Sequence, residues 1–204
     1  MACAVLWQSP RFSPGKLYAF LRIMKQGVFI ERDGILNAAG IKNRQQVAPL
    51  RLPEFHLYAH FAPLLQELKA AGLVLLVTTN QPALSRGELS RRELEMMHQQ
   101  LRRAFPVDDL LLCPHEEMDG CTCRKPKPGL LFEGAYKWRL DLSRSFVISN
   151  KWQDAEAARR AGMTSLLLDS PCLGEGHHDF VLPDLSTIVE KILQLISPVA
   201  ALPA

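Results

Sequence analysis

Short apolar runs recur along the chain at a length that suits buried β-strands. Each run is nearly continuous rather than alternating with polar residues, which is typical of strands that are covered on both faces. The runs are Val28–Ile30, Leu73–Val77, Leu110–Leu112, Phe146–Ile148 and Ser165–Leu168.

Segments with the periodicity of amphipathic helices follow or separate these runs. They are His60–Ala71, Ser90–Ala104, Gly129–Leu140, Asp154–Ala161 and Leu185–Ile196. Strands and helices that alternate in this way predict an α/β domain, with a parallel sheet covered by helices on both faces. Ligands bind such sheets outside the carboxyl ends of the strands, so the residues just after each strand matter most. The long connection 38–56 is predicted to be irregular and to wall this crevice.

Length and charge narrow the classes of protein that the chain can represent. Its 204 residues, 48% of them hydrophobic, suffice for one core and are too few for two comfortable domains. The net charge of +3 without a long basic run gives no reason to expect a nucleic-acid or membrane partner. We expect the domain to span residues 24–197, with a tail at 198–204. Residues 1–23 are either a genuine extension or the result of a start codon that was assigned too early. Met24 stands just before the first strand and favours the second interpretation.

Three of the five cysteines crowd together with a histidine after the third predicted strand. An odd number of cysteines does not suggest a disulfide framework, so we expect a reducing, cytoplasmic setting. Three thiolates and one imidazole form a ligand set that is typical of structural zinc sites, although the spacing is tighter than in ordinary zinc fingers. A reduced cluster without metal is the alternative. The predicted zinc ligands are Cys113, His115, Cys121 and Cys123.

Polar side chains follow four of the predicted strands or their loops, in the segments 31–37, 78–81, 124–128 and 149–154. Glu31 and Asp33 are two residues apart in an extended segment, so they face the same crevice. The cations of the third segment can neutralise a transferring phosphoryl group, and the oxygens of the fourth can bind a hard cation. Each segment alone is explained by loop polarity, but together they predict a phosphate-handling site.

Four stretches of the chain carry motifs of a known family. They are F-I-E-R-D-G-I-L-N, T-N-Q followed by R-G, C-P-H…C-T-C-R-K-P-K-P-G and N-K-W-Q-D-A-E-A-A-R-R-A-G. These motifs resemble those of the haloacid dehalogenase (HAD) superfamily, and within it the group of heptose-bisphosphate and histidinol phosphatases. They extend from about residue 27 to residue 162. The resemblance implies a three-layer, Rossmann-like fold without a cap domain, a structural zinc loop and the hydrolysis of phosphate monoesters.

The resemblance also implies roles for individual residues. The position of Glu31 normally holds an aspartate that attacks phosphorus, and Asp33 would be the general acid and then the base. Magnesium would bind the first carboxylate, the backbone carbonyl of Asp33 and the side chain at Asn150, with support from Asp154. The predicted phosphate or substrate contacts are Thr79, Asn80, Arg86, Arg124 and Lys125.

Two of these positions depart from the family pattern. Compared with the aspartate of the family pattern, Glu31 extends its carboxylate by one methylene group. A misplacement of about 1 Å can slow in-line attack roughly a hundredfold. Asn150 replaces an anionic magnesium ligand with a neutral one, which should weaken the metal site or empty it. We therefore expect a small phosphorylated metabolite to bind a monomeric protein whose phosphatase activity is impaired or lost.

Two other functions remain open. One is an active magnesium-dependent phosphomonoesterase that acts on a sugar phosphate or on histidinol phosphate. The other is a zinc-stabilised interaction module without catalysis. Among single residues, Trp138 and Trp152 are interpreted as packing residues on helix faces, and His98 has no partner that the sequence identifies.

Overall fold

The computed structural model describes residues 24–42, 45–170, 173–174 and 176–197. The predicted extension at 1–23 and the tail at 198–204 lie outside these residues. Within these residues, six parallel strands form the main sheet, and β2 (Gly40–Lys42) and β3 (Gln45–Val47) form a separate hairpin. The strands of the main sheet are β1 (Gly27–Glu31), β4 (Val74–Asn80), β5 (Asp109–Cys113), β6 (Phe146–Ser149), β7 (Thr164–Leu168) and β8 (Phe180–Leu182). Their order across the sheet is β5-β4-β1-β6-β7-β8.

Five α-helices connect or follow these strands within the described part of the chain. Ser90 begins the second helix by accepting a hydrogen bond from the backbone N–H of Glu93, and Asp184 does the same for the last helix with Thr187. The helices are α1 (Ala62–Ala70), α2 (Arg91–Ala104), α3 (Gly129–Trp138), α4 (Trp152–Ala161) and α5 (Leu185–Ile196). The predicted parallel α/β architecture is thus confirmed.

The core consists of two apolar layers, one on each face of the sheet. Alternate residues of β1 point to opposite faces, so Val28 and Ile30 enter one layer and Phe29 enters the other. The first layer is closed by α1, α2 and α5, and the second by α3 and α4. None of the described helices is long and apolar enough to span a bilayer.

The prediction of an irregular connection at 38–56 is wrong in part. This segment contains an antiparallel hairpin of β2 (Gly40–Lys42) and β3 (Gln45–Val47), and a 3₁₀ turn at Leu52–Glu54. Strands of three residues that contain glycine, lysine and glutamine carry no apolar pattern that would reveal them. The edge strand β8 was not predicted either, because it is also only three residues long. The helix predicted at Asp154–Ala161 begins two residues earlier, at Trp152.

Candidate functional site

A crevice of about 730 Å³ opens beyond the carboxyl ends of the neighbouring strands β4, β1 and β6. The residues that follow these strands line it, together with the segment after the cysteine-rich loop. The hairpin contributes Gln46 and Val47, so this segment walls the crevice as predicted. Of the charged side chains in the described part of the chain that line the crevice, four are cationic and five are anionic.

Glu31 ends β1 and lies at the floor of the crevice, where its side chain is almost fully buried. Its Oε2 accepts a hydrogen bond from Lys125, and its Oε1 lies 3.0 Å from Nζ of Lys151. Burial opposes ionisation of this carboxyl group, but the two ammonium groups outweigh it and hold the pKa of Glu31 below its ordinary value. Glu31 is therefore an anion with both oxygens engaged.

Lys125 contacts two carboxylates that are far apart in the sequence, one after the first strand of the sheet and one on α4. Its Nζ contacts Glu31 and lies 2.6 Å from Oδ1 of Asp154, the third residue of α4. Burial works against the ammonium charge, yet the two carboxylates raise the pKa of Lys125 above its ordinary value. The predicted phosphate-binding cation is thus permanently charged and fixed between two acids.

Asp33 accepts hydrogen bonds from four different side chains. The guanidinium of Arg32 approaches both of its oxygens at 3.0–3.2 Å. Asn37 donates to Oδ1 at 3.1 Å, while Thr79 and Gln81 donate to Oδ2 at 3.0 and 2.8 Å. Burial favours the neutral acid, but Arg32 and Lys151 lower the pKa of Asp33 below its usual range. Asp33 is thus an ionised, firmly held carboxylate.

The guanidinium of Arg32 is itself enclosed by residues distant in sequence. It is fully buried, lies 5.4 Å from the ring centre of Phe55, and reaches Nε2 of His98 with Nη1 at 3.3 Å. Burial and the charges of Arg32 and Arg102 lower the pKa of His98 to about 4. His98 is therefore neutral at physiological pH and accepts the hydrogen bond from Arg32.

Among the buried side-chain oxygens without a hydrogen-bond partner in the described residues, Oδ1 of Asn150 and Oδ2 of Asp154 lie beside this floor, and Oδ1 of Asn80 and Oε1 of Gln81 belong to side chains that line the same crevice. Nδ2 of Asn150 donates to the backbone carbonyl of Gly34 at 3.3 Å. Gly34 has a φ of +91°, and a Cβ there would meet the amides of Gln46 and Asn150 at 2.6–2.8 Å. The glycine thus lets the hairpin and the β6 end close together over the turn after β1.

The predicted phosphate contacts divide into those that line the crevice and one that does not. Asn80, Arg86, Arg124 and Lys125 line it. Thr79 is fully buried, is not among the lining residues, and donates its hydroxyl hydrogen bond to Asp33. Arg86 forms ion pairs with Glu88 and Glu116. The roles of all these residues in binding or catalysis stay predictions.

The cysteine-rich loop between β5 and α3 brings its four predicted ligands together. Their ligand atoms all lie within 4.8 Å of one another. Nδ1 of His115 lies 3.7 Å from Sγ of Cys113 and 3.2 Å from Sγ of Cys123, and the Cys113 and Cys121 sulfurs are 3.8 Å apart. Tetrahedral zinc with bonds of about 2.0–2.3 Å needs ligand atoms at roughly this separation. The cluster therefore fits a structural zinc ion.

Sequence reasoning missed three residues that the structure places at this site. Lys151 lies within the quoted N-K-W-Q-D motif but received no role, and its position next to Asn150 was the available signal. Arg32 stands between the two predicted carboxylates, and this position is its signal in the sequence. His98 comes 66 positions after Arg32, and no spacing rule connects two residues so far apart.

Known proteins resemble this chain in sequence and in structure. A family model described as HAD-hydrolase-like matches residues 122–187. The D-glycero-β-D-manno-heptose-1,7-bisphosphate 7-phosphatase of Helicobacter pylori strain J99 is 31% identical over 149 residues, which cover 70% of this chain and 82% of that protein. The enzyme of the same name from Pseudomonas aeruginosa is 30% identical over 184 residues, 82% of this chain and 97% of that protein.

A solved structure of a related phosphatase is similar to this chain in its fold. It is the D,D-heptose 1,7-bisphosphate phosphatase of B. bronchiseptica complexed with magnesium and phosphate. It matches with a TM-score of 0.71 and 27% identity, and the match covers 83% of this chain and 98% of that one.

Proposed function

Because this chain belongs to the HAD superfamily and is related to its heptose-bisphosphate phosphatases, we propose that it binds a small phosphorylated metabolite and hydrolyses it slowly or not at all. The observation that carries the proposal is that Lys125 and Lys151 hold both carboxylate oxygens of Glu31. The lysines offer the positive charge that a phosphoryl group needs. The same ion pairs engage the carboxylate that stands where the family places its attacking aspartate.

The charge of the crevice makes a divalent cation part of this proposal. Five anionic side chains against four cationic ones do not attract a phosphoryl dianion by themselves. The unpartnered oxygens of Asn150 and Asp154, together with the Glu31 carboxylate, are ligands of the kind that a hard cation such as magnesium prefers. A bound magnesium ion would neutralise charge on the phosphoryl group. Since Asn150 is neutral, we expect weaker magnesium binding than an aspartate would give.

Asp33 must change its protonation state before it can act as a general acid. A general acid must carry a proton when the leaving group departs. Asp33 is ionised because Arg32 and Lys151 outweigh the effect of burial on its pKa, and four side chains hold its oxygens. Protonating and moving this group would break several buried hydrogen bonds, which costs free energy.

The remaining parts of the proposal concern zinc, location and assembly. Cys113, His115, Cys121 and Cys123 would hold a structural zinc ion that orders the loop before Lys125. A zinc site of this kind needs reduced cysteines, which supports a reducing, cytoplasmic location. We expect the protein to act as a monomer, since a single chain supplies every group of the floor.

One observation favours the second candidate, an active phosphomonoesterase. Lys125 and Lys151 keep the pKa of Glu31 low, so its carboxylate is ionised and could attack phosphorus if a substrate drew the lysines away. This candidate requires measurable magnesium-dependent turnover by the unmodified protein.

A phosphate-release assay on a broad panel of phosphate monoesters with magnesium separates the two candidates. The wild type is compared with the double variant Glu31→Asp, Asn150→Asp, and Asp33→Ala is introduced into both as a control. We expect the double variant to release phosphate at least about a hundredfold faster than the wild type, because the carboxylate is returned to its in-line position. Equal rates that Asp33→Ala abolishes in both proteins would instead show an active enzyme.

A further inference from the structure

Trp152 is more exposed than an ordinary packing residue of the core. It is the first residue of α4, its side chain remains 38% exposed, and it lines the crevice. Trp138 behaves as the packing interpretation requires, since it packs against the apolar layer of α3 and donates its indole N–H to Asp109 at 3.0 Å. An indole that is left open inside a concave site calls for a ligand rather than for a packing role.

The backbone at Gly174, after β7, lies beside this indole. Gly174 has a φ of +71°, and a Cβ added there would lie 2.8 Å from Cδ1 of Trp152. The chain therefore runs directly along one edge of the indole, and only glycine allows this approach. A ring held at its edge loses little conformational entropy when a ligand covers its face.

Further apolar surface lines the same crevice beyond its charged floor. The hairpin and the segment after it contribute Val47, Ala48 and Leu50, and the turn after β4 contributes Pro82 and Ala83. Val47 is 42% exposed although it is a large apolar residue. The crevice thus combines a floor of ion pairs with walls that favour an apolar, flat group.

The charged side chains above the floor give little preference for one organic group of a ligand over another. Arg86, predicted to contact a substrate phosphate, is already paired with Glu88 and Glu116. Arg124 donates to the backbone carbonyl of His115 at 3.0 Å, and Glu117 lines the same crevice with an opposite charge. Contact with apolar surface therefore offers a basis for selection that charge does not.

We propose that Trp152 determines specificity by stacking on a flat ring in the organic part of the phosphate monoester. This inference rests on the proposed binding of a phosphoryl group at the floor and adds the class of ester that the crevice prefers. It predicts that a ring ester binds more tightly than phosphate alone, and that an open-chain polar ester does not.

Isothermal titration calorimetry with excess magnesium tests this inference. The ligands are phenyl phosphate, glycerol 2-phosphate and inorganic phosphate, and the proteins are the wild type, Trp152→Ala, Trp152→Phe and the control Trp138→Phe. We expect phenyl phosphate to bind the wild type about tenfold more tightly than inorganic phosphate, which is a typical gain from stacking. Trp152→Ala should lose this gain, whereas Trp152→Phe and Trp138→Phe should keep it.

The affinity for inorganic phosphate separates failure of this inference from failure of the proposed function. Suppose that inorganic phosphate binds all four proteins equally. If phenyl phosphate then binds no more tightly than phosphate, or if it keeps its higher affinity in Trp152→Ala, the stacking role is wrong and the proposed phosphate site at the floor stands. An equal gain for glycerol 2-phosphate also overturns the stacking role. If no ligand binds the wild type, both proposals fail together.

Discussion

Arg32 and His98 determine how the carboxylate of Asp33 is held. The guanidinium donates to both oxygens of Asp33 and, on its other side, to His98 on α2. A buried guanidinium without acceptors would be costly, so the neutral imidazole matters as an acceptor. The pKa of His98, lowered to about 4 by burial and by Arg32 and Arg102, keeps it in the state that can accept.

His98 should make the free energy of unfolding depend on pH. Its pKa is lower in the folded state than the ordinary value of 6.5, so the unfolded chain binds the extra proton as the pH falls between these values. The stabilisation is complete above about pH 6.5 and declines toward about pH 4. Lowering the pH from about 7.5 to about 5 should cost the fold about 2 kcal/mol through this residue.

The variant His98→Gln measures this contribution, because its amide oxygen can accept from Arg32 but does not titrate. Urea denaturation at the two pH values should show a smaller loss of stability in the variant than in the wild type, by about 2 kcal/mol. Carboxylates that titrate in the same range contribute to both proteins and cancel in the comparison. Equal losses in the two proteins would mean that His98 has the same pKa in the folded and unfolded states, and a smaller loss in the wild type would mean that folding raises the pKa of His98.

At the scale of elements, the cysteine-rich loop connects β5 to the cations of the crevice. Lys127 donates to the backbone carbonyls of Gly120 and Cys121 at 3.2 and 2.6 Å, and Gly129 at the start of α3 donates to Thr122 at 3.1 Å. The loop has little apolar core of its own, so a metal ion would supply much of its local stability.

Metal analysis and removal test the role of this loop. We expect the purified protein to contain one zinc ion per chain, and Cys121→Ser to lose it, while Cys3→Ser, far from the motif in sequence, retains it. Loss of zinc should weaken phosphate binding by several fold, because Arg124 and Lys125 directly follow the cluster. A zinc-free wild type that binds phosphate as tightly as the zinc-loaded protein would contradict this coupling.

The strands and helices with strong apolar patterns were predictable, and the weak ones were not. The central strand β1 and the helix α5 have unbroken or periodic apolar positions, because their burial requires it. The hairpin at 40–47 forms one wall of the crevice, yet each of its strands has three residues and little apolar content. Its conformation depends on contacts such as that of Gln46 with the turn at Gly34, which local sequence does not encode.

The same distinction applies to the site. Residues that directly follow strong strands, such as Glu31 and Asp33, could be placed together because carboxyl ends of parallel strands share one edge. The contacts of Trp152 and of His98 depend on how α4 and α2 lie against distant segments. Their partners follow from tertiary packing alone, so the sequence did not show that Trp152 lines the crevice.

At the scale of the whole molecule, the order of the strands assembles the site. The central strand β1 lies between β4 and β6, so three strands that are distant in sequence end side by side. Lys125 enters from the loop after β5 and joins Glu31 of β1 to Asp154 of α4. Groups from separate segments thus converge on one floor, and this floor is the basis of the proposed binding of a phosphoryl group.

Calorimetric titration of inorganic phosphate into the zinc-loaded protein tests this central claim most directly. The wild type is measured with magnesium and with EDTA, and Lys125→Met is compared with Lys137→Met, which removes a lysine from the exposed side of α3. We predict saturable binding of one phosphate that needs magnesium and that Lys125→Met weakens at least about tenfold, while Lys137→Met leaves it unchanged. Phosphate binding that is absent, or that is equal in both lysine variants, would contradict the account.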